Sequence, residues 1–358
     1  MKILAIETSC DETAIALLKI DGALERPDIK VLGNSLLSQV ELHEKYGGVY
    51  PNLAKREHEK NLPVLLAKTL EEADEDPDSP EIDSIVVTEG PGLEPALWVG
   101  INFALNLGKK WSAKRRIPVV PVNHMEGHIF SSLFEMPEGE SLALPALALL
   151  VSGGHTELVV VRNFRDYEII GRTRDDAVGE AFDKVARMLG LTYPGGPKIS
   201  RLAEISRNKK ETIDLVLPQP MLHSKDLDFS FSGLKTAVLY KLKLDNRSDE
   251  EYKEDMARAF EDAAIGVLVE KTRKALLREE KIKTLIVGGG VSANLHLSQE
   301  LGKLIDEFPN IKLRLPTKSL TTDNAIMIGI AGFIRITKEP KILKNQVEIK
   351  AQGNLSIS

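Results

Sequence analysis

Cysteine is almost missing from this sequence: Cys10 is the only one in 358 residues. That excludes an intramolecular disulfide and a cysteine-rich zinc site, and it fits a reducing compartment. No export signal is visible, because Glu7, Asp11 and Glu12 interrupt the apolar N-terminal run that a signal peptide needs. Nor is there an apolar run of the roughly 20 residues required to cross a bilayer. The best candidate, Pro95 to Leu107, is stopped by Gly108, Lys109 and Lys110 and reads as a buried helix. The expectation is a cytoplasmic protein without membrane contact. Excess positive charge is lacking too: 47 Lys and Arg stand against 53 Asp and Glu, a net charge of −6. Nucleic-acid binding must therefore come from a local basic patch or a partner, since the field of the whole protein repels phosphate.

What is present is an ordinary globular composition, 42% hydrophobic and 28% charged, long enough for two domains at roughly 100–200 residues each. Two patterns occur twice. ILAIETSCDETAIALL places apolar strands on either side of a polar turn, and LALLVSGGHTELVVV repeats that hairpin, with strands from about Ala146 and Glu157. DSIVVTEGPGLEPALWVGINFAL and KTLIVGGGVSANLHLSQEL each give a β-branched strand, a glycine cluster and a helix. One set per half predicts an α/β fold of duplicated lobes facing each other across a nucleotide cleft. The boundary falls near 136–144. The expected division is a first lobe over 1–140, a second over 141–335 with a helical insertion near 175–260, and a tail over 336–358. EEYKEDMARAFEDAAIGVLVEKTRKALLREE reads as a long amphipathic helix. In GEAFDKVARMLG, Phe182, Val185, Ala186 and Leu189 share an apolar face, leaving Asp183 on a solvated one.

His124 and His128 in PVNHMEGHIFSSLF are four apart, so a helix stacks both imidazoles on one face at metal-bridging separation. A surface coincidence of two histidines remains the other reading of that spacing. A zincin protease carries glutamate directly after its first histidine; here Met125 holds that place, and Glu126 sits about 200° round the helix from His124. The zincin pattern is missing, and Glu126 is expected to face solvent, the other reading being a support behind the metal-binding histidines. Asp323 in SLTTDNAIMIG precedes an apolar helical run and reads as an N-cap, although a carboxylate joining two imidazoles would suit iron or zinc.

Ser152, Gly153 and Gly154 form a turn whose backbone N–H groups lie open to an anion, and the same residues suit a plain hairpin turn. Gly288, Gly289 and Gly290 open a helix with Asn294 expected one turn in, its amide able to read ribose or base. KKWSAKRR, Lys109 to Arg116, reads as a solvated helix end before it reads as an RNA contact with Trp111 as anchor. Cys10 in a hairpin turn reads as packing rather than as a nucleophile.

The motifs ETSCDET, HMEGH, LVSGGHT, GEAFDK, YPGGP, DFSFSGLKT, GGGVSAN and TTDNA occur in that order from Ile3 to about Gly332. Together they resemble the bacterial-type tRNA adenosine threonylcarbamoyltransferases of the glycoprotease-like family. The resemblance implies the actin-like ATPase fold shared with sugar kinases and heat-shock proteins. It implies a metal on His124, His128 and Asp323, Fe2+ before Zn2+, with Mg2+ a further candidate beside a bound nucleotide. It implies substrate contacts at Leu150, Val151, Ser152, Gly153, Gly154, Asp183, Gly196 and Asn294, and so reverses the residue-level readings of Asp183 and Asp323. It implies transfer of a threonylcarbamoyl group from threonylcarbamoyl-AMP to adenosine 37 of tRNA, with a paralogous actin-like subunit and a small ATPase as partners. No general base is assignable. Glu89, Glu94 and Pro95, and the YPNLAKREH segment, depart from the bacterial pattern at positions that bear on partner contacts. An actin-like ATPase or kinase and a metalloendopeptidase are the competing readings.

Overall fold

Residues 1–112, 116–213, 215–247, 249–344 and 348–357 are described by a computed structural model. Residue proximity separates two units: Met1–Ala143 with Asn163–Tyr167 and Pro316–Ser358, and Leu144–Arg162 with Glu168–Leu315.

The first unit carries strands β1 (Lys2–Glu7), β2 (Glu12–Ala23) and β3 (Arg26–Ser38), helices α1 (Val40–Glu44) and α2 (Pro51–Glu72), then β4 (Ser84–Gly90), α3 (Glu94–Trp111), β5 (Val119–Asn123) and α4 (His124–Phe130). Its sheet runs β3-β2-β1-β4-β5. β1 pairs antiparallel with β2, Glu7 opposite Ala14, and parallel with β4, which runs parallel to β5. Ile3 to Ile6 and Ser84 to Thr88 are buried without alternation, because a central parallel strand is covered on both faces. Leu4, Ile6, Ile85 and Val87 belong to the core beneath α2 and α3. The intervening face, with Ala5, Leu18 and Val86, receives Gly329 and Gly332 of a late helix, Ala325–Lys338.

The second unit repeats this plan with β6 (Ala146–Val151), β7 (Thr156–Asn163), β8 (Asp166–Arg172), helices α5 (Val178–Met188), α6 (Gly195–Arg207), α7 (Ser232–Asp245) and α8 (Glu250–Arg278), then β9 (Thr284–Gly288), α9 (Leu295–Ile305) and β10 (Lys312–Arg314). The late helix is α10. The sheet order β10-β9-β6-β7-β8 mirrors that of the first unit, antiparallel at β6–β7 and parallel at β6–β9 and β9–β10. The duplication expected from the repeated hairpin and glycine loops is therefore a duplication of topology.

Three sequence expectations change. α8 is buried around much of its circumference, from Tyr252 and Met256 to Glu261, Lys271 and Thr272, rather than along one stripe. The N–H groups of buried Lys271 are satisfied by Ser224 Oγ and the Asp226 carbonyl, which makes a central position affordable for a cation. Pro316–Ser358 groups with the first unit, so α10 packs on β1 and β2, a return that a linear division at 335 does not anticipate. The segment beyond 336 is also tied down: Gln352 N donates to the Glu89 carbonyl, Gly92 N to the Gly353 carbonyl and Asn123 Nδ2 to the Ser356 carbonyl. Trp111, a possible RNA anchor in the sequence, is instead buried with its Nε1 donating to the Pro77 carbonyl. Part of the KKWSAKRR run, 113–115, lies outside the described residues. The Pro95 to Leu107 segment is a buried helix within α3, and no helix among the described residues is long and apolar enough to cross a membrane.

Candidate metal centre

β5 delivers the chain to α4 through Asn123, whose Oδ1 accepts the Met125 N–H and caps the helix. His124 and His128 then lie one turn apart, ring centroids 4.6 Å apart and planes perpendicular. The other two sides of this short helix are used as well. Gly127 faces α10, where a Cβ would stand 3.0 Å from Met327 Cγ and 3.1 Å from Ile328 Cδ1. Glu126, expected in solvent, is buried; Arg165 Nη1 donates to both its oxygens at 3.1 and 3.2 Å, and Arg165 Nε holds Glu339. A carboxylate on that face needed a cation from elsewhere in the chain, and the turn after β7 supplies it.

Asp323 is not the cap of α10. The next residue, Asn324, takes that place, its Oδ1 accepting the Met327 N–H at 2.9 Å. Asp323 is left to turn toward the imidazoles, Oδ1 lying 3.3 Å from Nε2 of His124 and 3.2 Å from Nε2 of His128. Neither ring nitrogen of His128 makes a hydrogen bond, although the residue is fully buried. One ligand atom from each of His124, His128 and Asp323 falls within a 4.8 Å cluster. Bonds of about 2.0–2.1 Å at tetrahedral angles put ligand atoms about 3.3 Å apart, so the separations suit a divalent cation.

The charges explain why these groups sit together. Burial disfavours an imidazolium at His124, but Asp323 and Glu7 outweigh it and raise its pKa well above the ordinary value. Burial holds His128 low and therefore neutral. Burial would raise Asp323, yet the two histidines hold its pKa below the usual carboxylate range. Behind His124 stands Glu7, fully buried, its Oε2 3.1 Å from Nδ1 and accepting Thr88 Oγ1 at 2.6 Å. Its Oε1 accepts the Ser9 N–H, and Ser9 Oγ lies 3.3 Å from the same His124 nitrogen. The sequence reading missed Glu7, though an acid closing the apolar strand KILAIE was the available signal.

The remaining candidate residues gather in the second unit at the C-terminal ends of β6 and β9, where open α/β sheets place ligands. Leu150 and Val151 are buried at the end of β6, Leu150 pairing with Gly288 of β9. Ser152 Oγ accepts N–H groups from Gly154 and His155, while Gly153 and Gly154 are exposed. Gly289, at φ +92°, passes so close that a Cβ would stand 2.4 Å from the Val151 carbonyl oxygen. Asp183 Oδ1 accepts the Gly195 N–H at 2.7 Å, fixing the start of α6, and Gly196 beside it has open space at its Cα. Asn294 is the N-cap of α9 rather than a residue one turn in: Oδ1 accepts the Leu297 N–H, and Nδ2 donates to Ser200 Oγ and to Glu261 Oε1.

A family model described as tRNA N6-adenosine threonylcarbamoyltransferase matches residues 30–330. The chain belongs to that family. A tRNA N6-adenosine threonylcarbamoyltransferase of Thermosipho africanus (strain TCF52B) is 44% identical over the whole of both chains. One of Persephonella marina is 43% identical, over 98% of this chain and 95% of the relative. The fold is that of the actin-like ATPases and sugar kinases. At 13% identity, the HypF of T. kodakarensis superposes with a TM-score of 0.59, over 96% of this chain and half of its own. A HypF structure in a phosphate- and nucleotide-bound form, also 13% identical, gives 0.55 over 94% of this chain and 46% of its own.

Glu89 and Glu94 each have a local use in this fold. Glu89 Oε1 takes Arg335 Nη1 from α10 at 3.2 Å, and Glu94 Oε1 takes the Gly353 N–H at 3.4 Å. Both acids secure the returning C-terminal segment. Cys10 has its thiol pKa pushed well up by burial and by neighbouring Asp11, opposite to what a nucleophile requires.

Proposed function

We propose that this chain transfers the threonylcarbamoyl group from threonylcarbamoyl-AMP to N6 of adenosine 37 in tRNAs reading codons that begin with A. N6 forms a bond to the carbamoyl carbon, the bond from that carbon to the phosphate oxygen breaks, AMP leaves with the electron pair, and N6 gives up one proton. The observation that carries this reading is the buried pairing of two histidines and Asp323 in a chain of this family.

His124, His128 and Asp323 would hold a divalent metal. Two imidazoles and one carboxylate suit iron and zinc alike, and the bound ion supplies Lewis acidity and a fixed anchor for the adenylate. The exocyclic amine of adenine is a weak nucleophile, so alignment and polarisation of the carbonyl carry the rate. The Ser152 to Gly154 turn receives the acyl-phosphate region at exposed Gly153, since the Gly154 N–H is already donated to Ser152 Oγ and the Ser152 N–H to the His155 carbonyl. Asp183 and Gly196, at the start of α6, take polar groups of the substrate. Both amide protons of Asn294 are already donated, so its substrate contact is the second lone pair of Oδ1, which accepts from a ribose hydroxyl. Glu126 is engaged by Arg165 and offers no zincin-type base beside the histidines, which disfavours a protease. A net charge of −6 favours a partner that completes the tRNA surface, in keeping with a paralogous subunit and a small ATPase in the cytoplasm.

Mass analysis of tRNA nucleosides from cells lacking the gene tests the reading. Loss of threonylcarbamoyladenosine is expected; an unchanged content overturns it.

A further inference from the structure

Two hydrogen-bond donors and one imidazole nitrogen converge on one carboxylate at the end of β1. Glu7 is fully buried, Oε1 taking the Ser9 N–H and Oε2 taking Thr88 Oγ1 and facing Nδ1 of His124 at 3.1 Å. We propose that Glu7 is the positioning residue of the metal centre: it holds the proton of His124 on Nδ1, so that Nε2 presents its lone pair toward His128 and Asp323. The inference rests on the reading of those three residues as metal ligands.

The argument is one of donors and acceptors. An ionised carboxylate only accepts, so an imidazole nitrogen directed at it must carry a proton, and the other nitrogen is left for the metal. Ser9 Oγ, 3.3 Å from the same nitrogen, imposes no such choice because a hydroxyl donates or accepts. Glu7 is itself immobilised. Ser9 N is a backbone donor that cannot reverse, and Thr88 lies in β4, the parallel neighbour of β1. A glutamine of the same shape brings an NH2 group into a ring of donors. With its oxygen kept on the Ser9 N–H, its NH2 turns to His124 Nδ1, and the ring proton moves to Nε2, where it blocks the metal.

The test uses the full chain with Zn2+ as probe, comparing the unaltered protein with Glu7→Gln, Glu7→Asp and His124→Ala. Zinc affinity is measured by chelator competition, thermal unfolding is recorded without metal, and ring nitrogens of the zinc-loaded protein are followed by 15N spectroscopy. Glu7→Gln should bind zinc about 10- to 100-fold more weakly, lose the Nδ1–H signal of His124, and be partly rescued by Glu7→Asp, which restores an acceptor-only group. Zinc affinity unchanged in Glu7→Gln but lost in His124→Ala overturns the role of Glu7 and leaves the metal centre standing. Zinc affinity unchanged in His124→Ala overturns both. A lowered unfolding temperature of the metal-free Glu7→Gln protein, with zinc affinity intact, reduces Glu7 to a structural residue and likewise overturns the inference.

Discussion

Asp323 and Asn324 are adjacent in the chain and do different work: Asn324 Oδ1 caps α10, and Asp323 Oδ1 sits 3.3 and 3.2 Å from the Nε2 atoms of His124 and His128. The two roles separate by mutation. Asn324→Ala should lower stability by about 1 kcal/mol, the usual cost of a lost cap, with metal binding retained. Asp323→Ala should abolish metal retention and transfer together. Metal content by elemental analysis beside denaturant unfolding tells them apart, and equal metal loss in both would remove the distinction.

Arg165 neutralises Glu126 on the side of α4 away from Asp323. Arg165→Met leaves a buried carboxylate without its cation, and a loss of about 3 kcal/mol in unfolding free energy is expected. Adding Glu126→Gln to the same protein should recover much of that loss, because the stranded charge goes with it. A double variant no more stable than Arg165→Met would show that Arg165 acts through its packing.

At Gly289 both conformation and space exclude a side chain. Gly289→Ala forces a Cβ to within 2.4 Å of the Val151 carbonyl oxygen at φ +92°. A loss of about 2–3 kcal/mol is expected, with a raised KM for the adenylate since Ser152 is displaced as well. A KM unchanged beside that loss would detach the glycine loop from substrate binding.

Asp176 lies 2.8 Å from Lys184 Nζ and 2.9 Å from Lys235 Nζ. Burial works against its ionised form, but these two ammonium groups outweigh it and hold its pKa below the ordinary value. A depressed carboxylate contributes stability that is complete above its unfolded pKa and disappears as pH falls through its folded pKa. Screened by solvent, the pair contributes modestly, so Asp176→Asn should cost about 0.5 kcal/mol at pH 7, and its deficit should shrink as the pH is lowered below about 4. Urea unfolding of both proteins at several pH values measures this; a deficit constant down to pH 2 would contradict the ion-pair account.

Much of the architecture was legible locally. KILAIE and DSIVVTEG read as buried strands because a strand covered on both faces has no polar side to alternate with, and the repeated hairpin and glycine loop pointed to a duplicated α/β plan, whose strand order only the structure supplied. The pairing of His124 with His128 was legible for the same reason, since helical period alone puts i and i+4 on one face. A cap is less so. Asp323 and Asn324 are both good capping residues, and only the placement of α10 decides which one faces the Met327 N–H and which one faces the histidines.

The chain by itself thus determined what repeats within a few residues: apolar runs, turn glycines, the histidine spacing, and the family motifs in their order. The tertiary structure alone decided whatever depends on two distant segments meeting. It turned Glu126 from solvent to Arg165, spent both amide protons of Asn294 on Ser200 and Glu261, brought α10 back onto the first sheet, and set Glu7 behind His124. The reason is physical: a periodic pattern records which face of an element is buried, whereas a buried polar group is stable only with its partner, and that partner is chosen by packing.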